Sequence, residues 1–390
     1  MVLTVLLIFG GFALTHYFVN LHRITEMSLA NRWFTRGEEA MQAHLYKAAA
    51  DDFRTALNYN QEDRRYRLRL AQALMADDRL TEARAHLISL WEEEPANGEV
   101  NLTLARLEAK RGKYRDAVRY YNNAINGVWK ENPRQARMAA RFELAKYLMQ
   151  NQKFGEARAD LLAALADTPT EPADQLLLGQ LLLELNEPEH ALQAYDALLA
   201  RDRRNAQAWF GEGEAYLALG QFNEAEHASE KAVDYDPNLD AARRQLELTR
   251  EILRLNPSMR GLPLAERANR VAAAFEAALS RLSSCASQLN VDLGAPVGAE
   301  SAMNTQGSTS STAANDITPA PNALELLYTS GLEKQSNATA RALLKNPDAL
   351  EPAMQYVFEV ERTTAPICPD MDVTDRALLL LAQHESETIK

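Results

Sequence analysis

The chain has 390 residues, 46% of them hydrophobic and 25% charged, with a formal net charge of −12. Ala, Leu, Glu and Arg dominate and prolines are sparse between residues 20 and 290, a balance that favours an all-helical fold with room for more than one core. The acidic excess excludes the generally basic surface that nonspecific nucleic-acid binding needs.

The first predicted element is the run VLTVLLIFGGFALTHYFV, residues 2–19, which carries no formal charge. As a helix it spans about 27 Å, close to the ~30 Å hydrocarbon core of a bilayer. Only the α-amine precedes it and no convincing cleavage site follows, so the reading is an uncleaved single-pass transmembrane anchor over residues 1–20, with a signal peptide or a buried helix as the alternatives. Arg23, Arg32 and Arg36 follow the run, and no Lys or Arg precedes it. The positive-inside rule then places the body in the cytoplasm, with a periplasmic body as the alternative. A juxtamembrane helix is expected at 21–29.

From Ala30 onward the chain repeats. Alanines stand at 49, 83, 117, 157, 191 and 225, with gaps of 34, 34, 40, 34 and 34. A column of small residues keeps the same register: Gly37, Ala71, Ala105, Ala145, Gly179 and Gly213. A third column reads Phe53, Leu87, Tyr121, Leu161, Tyr195 and Ser229. A small residue on each of two paired helices lets their backbones approach, and the large residues fill the remaining space. Gly213 therefore reads as a packing glycine, whereas Gly211 has no small counterpart in most copies. The GEG stretch lacks the strand and downstream partners of a phosphate-cradling loop.

These columns resemble the tetratricopeptide repeat, a 34-residue helix–turn–helix unit. Trp209, Gly213, Tyr216, Gly220, Phe222, Ala225, Ala232 and Pro237 fall where that family has its signature residues, while Glu212 and Ser229 depart from it. Trp33 and Gly37 begin the first copy in the same way. Six copies are read: 30–63, 64–97, 98–137, 138–171, 172–205 and 206–239, the third lengthened around residues 127–135. The resemblance implies an all-α solenoid, a right-handed superhelix with a concave groove lined by the first helix of each copy.

Residues 240–290 follow as capping and extension helices, with Val271, Phe275, Ala278, Leu279 and Leu282 at helical spacing. Residues 291–321, rich in Ser, Thr, Ala, Gly and Pro and without Lys or Arg, read as a flexible linker. A small helical module is expected over 322–390. No CxxC or Cys/His finger spacing surrounds Cys285 and Cys368, which leaves two idle thiols or, in an oxidising compartment, a disulfide.

No HExxH, GxSxG or Walker A motif appears, and the seven histidines are scattered. The expectation is a protein without enzymatic activity, cofactor, metal or small-molecule substrate. One column of the first helices reads Glu38, Gln72, Arg106, Lys146, Gln180 and Glu214, basic in its middle. A second reads Phe34, Leu68, Leu102, Phe142, Leu176 and Phe210. Arg65, Arg69, Gln72, Arg106, Phe142, Lys146 and Gln180 are the candidate partner-binding residues, suited to an acidic or carboxylate-bearing segment of a protein partner. The family's carboxylate clamp for chaperone tails is not matched, because Phe34 and Glu38 occupy its first pair of places. The function expected is a membrane-anchored adaptor in the assembly of a bacterial membrane or envelope complex. A self-assembling structural solenoid is the alternative, and an enzyme with an atypical C-terminal site a third class.

Overall fold

The computed structural model describes residues 2–167, 169–291, 293 and 321–388. For residues 2–11, 13, 18, 20, 321, 322 and 386–388 it describes the backbone alone. Most of the expected linker thus lies outside the described residues. Every regular element among them is helical, and the chain divides into two compact units, Met1–Asp174 and Gln175–Lys390.

The first unit holds α1 (Val2–Gln42), α2 (Tyr46–Tyr59), α3 (Arg64–Ala76), α4 (Leu80–Glu93), α5 (Gly98–Lys110), α6 (Tyr114–Ile125), α7 (Pro133–Gln150) and α8 (Phe154–Ala166). The second begins within α9 (Pro172–Glu184) and continues through α10 (Pro188–Leu199), α11 (Ala206–Ala218) and α12 (Phe222–Tyr235). Beyond these lie α13 (Asp240–Leu255), α14 (Leu264–Leu289), α15 (Pro321–Gln335), α16 (Ala340–Lys345), α17 (Leu350–Thr364) and α18 (Val373–Thr388).

The turn chemistry repeats as strictly as the packing columns. His44, Asp78, Gly112, Gln152, Asn186 and Gly220 all adopt left-handed φ angles between 58° and 69°. Their spacing is again 34, 34, 40, 34 and 34. In each copy the following N–H reaches back five residues to the first helix, as in Arg79 N to Leu74 O at 2.8 Å and Gln221 N to Tyr216 O at 2.9 Å. This closes each first helix with a Schellman-type cap. Glycine fits the site at 112 and 220 because it has no Cβ to clash. Asp63, Asn97 and Asn205 cap the next first helices by accepting from Arg65 N, Val100 N and Ala208 N.

All six column alanines, from Ala49 to Ala225, are fully buried. The enlarged third copy is closed by Trp129, whose indole N–H donates to Ala124 O at 2.9 Å and whose ring covers Gly98.

In the second unit, Val271, Phe275, Ala278, Leu279 and Leu282 of α14 share one core with Leu343, Val357, Val360, Ala377 and Leu378 of the C-terminal helices. A Cys285–Cys368 disulfide ties α14 to the segment after α17. The His384 imidazole lies 3.0 Å from Leu217 O through Nε2 and meets the Phe222 ring edge-on.

The single-pass anchor expected over residues 2–19 does not stand, and the membrane localisation inferred from it falls too. Among the described residues no helix is long and apolar enough to cross a membrane. The helix beginning at Val2 runs on without a break to Gln42, and from His22 it carries Arg23, Glu26, Arg32, Arg36, Glu38 and Glu39.

Candidate functional site

The candidate residues of the first unit sit on the first helices of consecutive copies. Arg65 lies in the opening turn of α3, where it turns back to its own cap and pairs with Asp63 at 2.8 Å. Arg69 and Gln72, one turn on, meet each other at 2.8 Å, and Arg69 also pairs with Glu38 of α1 at 2.9 Å. Arg106 of α5 donates two hydrogen bonds to Glu143 of α7, at 2.8 and 2.5 Å. Glu143 thereby holds the Arg106 guanidinium in its charged form. Burial, with a smaller push from Glu143, raises the neighbouring Tyr121 hydroxyl to about 12.

Lys146 follows Glu143 by three residues, on the same face of α7. It is exposed, and no ion pair engages it among the described residues. Phe142 is 3% exposed and belongs to the core beneath that face. Gln180 lies in α9 of the second unit, exposed, with its amide 3.2 Å from Glu184.

The structure thus joins Arg69 to Gln72 and pairs Arg106 with Glu143, three residues before Lys146 on α7. Arg65 is directed elsewhere. Sequence reasoning missed Glu38 and Glu143 as partners of these arginines. Glu38 was in the basic-centred column, but Glu143 lies one turn before Lys146, outside it. Only the turn geometry of α7 brings it opposite Arg106.

Two Tetratricopeptide repeat family models match the chain, one at residues 34–94 and 176–247 and the other at 74–137. Residues 34–137 and 176–247 carry tetratricopeptide repeats. The tetratricopeptide array is similar to YrrB, described as a TPR protein with an unusual peptide-binding site. That likeness has 18% identity and a TM-score of 0.37, covering 50% of this chain and 97% of the other. It is similar also to pilF of Pseudomonas aeruginosa, at 15% identity and a TM-score of 0.39, covering 56% and 97%. The C-terminal part of a TPR repeat-containing protein from Cytophaga hutchinsonii shares 14% identity with a TM-score of 0.45, covering 57% and 86%. No curated protein matches the sequence.

Proposed function

We propose that the tetratricopeptide array is a non-enzymatic adaptor that holds an acidic segment of a partner protein in the assembly of a larger complex. The segment lies along the face carrying Arg69, Gln72, Arg106 and Lys146, with Arg65 at its edge and Phe142 fixing α7 from below. Gln180, the next member of that sequence column, belongs to the second unit. The observation that carries this reading is Lys146, an exposed cation near the Arg106–Glu143 pair with no ion-pair partner among the described residues. That pair is substantially exposed, with side-chain exposures of 46% and 33%. Exposed pairs contribute about 0–1 kcal/mol, so an incoming carboxylate replaces Glu143 at small cost. Arg106 then offers its two-pronged donor fork, and Lys146 adds a second positive charge.

The test is retention of immobilised decapeptides of graded acidity by the native chain and by the double variant Arg106→Glu, Lys146→Glu, its folding checked by circular dichroism. Acidic decapeptides are expected to bind the native chain, more weakly as salt rises, and at least tenfold more weakly to the variant. Equal retention by the variant, or neutral decapeptides binding as well as acidic ones, overturns the reading.

A further inference from the structure

The sixth copy breaks its own repeat at Glu212. The equivalent positions in the four copies before it are Leu70, Leu104, Leu144 and Leu178, each 3% exposed or less. Glu212 is itself only 4% exposed. Burial, and then the hydrogen bond and charge of Asp196 on α10, push its carboxyl up to about 8, and no cation opposes them. A leucine here would be cheaper, because a buried acid facing a second acid is stable only while it keeps its proton.

Glu212 lines a surface pocket of about 270 Å³ together with Trp209, Tyr216, Asn223, Glu224, His227 and Ala228. The Trp209 indole N–H is already engaged by Arg203 O at 2.9 Å, and His227 meets the indole edge-on at 6.2 Å. These contacts fix the ring as a wall. The pocket therefore combines aromatic walls, one nearly buried carboxyl and the carboxylate of Glu224. Aromatic faces attract cations, and a desolvated carboxylate adds charge and directional acceptors. Among the described residues no three His, Cys, Asp or Glu side chains are grouped to hold a metal ion.

We propose that this pocket binds the cationic head of an arginine or lysine side chain presented by a partner polypeptide. Trp209 and Tyr216 flank the side chain, and Glu212 and Glu224 take its charge. The site is separate from the first-helix face of the first unit, so the two stand or fall independently.

A cation favours the ionised form of Glu212, so binding releases a proton below pH 8 and strengthens as pH rises. The other charged or titratable groups around the pocket are Asp196 from α10, Tyr216 from α11, and Glu224 and His227 from α12. The variant His227→Gln removes the imidazole beside the pocket and should keep the dependence set by Glu212.

The experiment uses the full chain and the pentapeptide Gly-Gly-Arg-Gly-Gly, its lysine counterpart and its citrulline counterpart, which keeps the shape but loses the charge. Calorimetry gives affinity, and the Trp209 indole resonance, assigned with Trp209→Phe, reports place. The arginine or lysine peptide is expected to shift that resonance and to bind at least tenfold tighter than the citrulline peptide. Affinity should rise severalfold from pH 6.5 to 8.5. Glu212→Leu restores the residue type of the four preceding copies and should keep the fold while losing the binding tenfold or more. The proposal fails if the citrulline peptide binds equally, if no peptide moves the Trp209 signal, or if folded Glu212→Leu binds as before. It fails as to the polypeptide source if N-acetyl-arginine amide binds as tightly as the pentapeptide.

Discussion

The ring of Tyr195 is held between two glycines. A Cβ built on Gly179 would come within 2.4 Å of it, and one on Gly211 within 2.3 Å. The ring is 3% exposed and cannot retreat from one glycine without meeting the other. Overpacking of this kind costs ~1–3 kcal/mol, beyond the small helix-propensity gain of alanine. Gly211→Ala and Gly179→Ala should therefore each destabilise the second unit by ~1–3 kcal/mol in urea unfolding. Gly211→Ala should cost clearly less in a Tyr195→Leu background, and an unchanged cost would remove the ring from the explanation. Gly155 is the contrast: nothing lies within 4 Å of its Cβ direction, so Gly155→Ala should be neutral or stabilise by up to ~1 kcal/mol. Gly213 meets the end of the Gln245 side chain, which can move aside, so its alanine variant should cost less than that of Gly211. The small column marked Gly213 in the sequence. Gly211 was illegible there, because its reason is a tyrosine sixteen residues earlier, in the preceding copy.

At the scale of the helix, α17 carries the least comfortable group in the second unit. Glu361 is fully buried and, among the described residues, neither carboxyl oxygen has a hydrogen-bond partner. Burial first, then Asp375, push it up to about 8 against the opposing charge of Arg281 from α14. Arg281 is committed elsewhere, donating to Asp370 O at 2.6 Å and to Cys368 O, and pairing with Asp375 at 3.4 Å. A carboxyl whose folded value lies above its unfolded one binds more protons in the native state. Stability is then full below about pH 4.5 and falls as pH rises toward 8. Glu212 has the same sign, so melting of the second unit should drop between pH 5 and 8.5. Glu361→Gln should flatten that slope and exceed the native chain in stability at pH 8.5, by on the order of 2 kcal/mol. A slope unaltered in Glu361→Gln would place the dependence elsewhere. The helical face and apolar stripe of α17 follow from its sequence period. That Glu361 lies on the buried side does not, since one carboxylate among eleven acids in that module looks like any other.

Across the whole chain, the parts made of near neighbours were readable and the parts made of distant ones were not. Helix pairs, their caps and their turns all arise within about forty residues, so columns of Ala, Gly and large residues exposed them. The stripe of Val271, Phe275 and Leu282 announced that α14 packs on something, but nothing local named α17 and α18 as the cover. The ion pairs that engage Arg69 and Arg106 cross between copies, and the arginines were read without them. The longest such link is Cys285–Cys368, separated by 83 residues, with residues 294–320 inside the loop that it closes. Closing a loop of that length removes much of the unfolded chain's freedom, which stabilises native domains by ~2–5 kcal/mol. A bond of this kind persists in an oxidising compartment and is reduced in one rich in thiols. Chains lysed directly into iodoacetamide should therefore carry no modified cysteine, and two after prior reduction, as read by mass spectrometry. The Cys285→Ser, Cys368→Ser double variant should retain α14 against α17 through Phe275 and Tyr356, whose rings lie 4.9 Å apart, yet melt lower. Both cysteines are buried, so the lysis must also unfold the chain; alkylation of both without reduction would then mean that the bond is absent in the cell and that the apolar core alone closes the second unit.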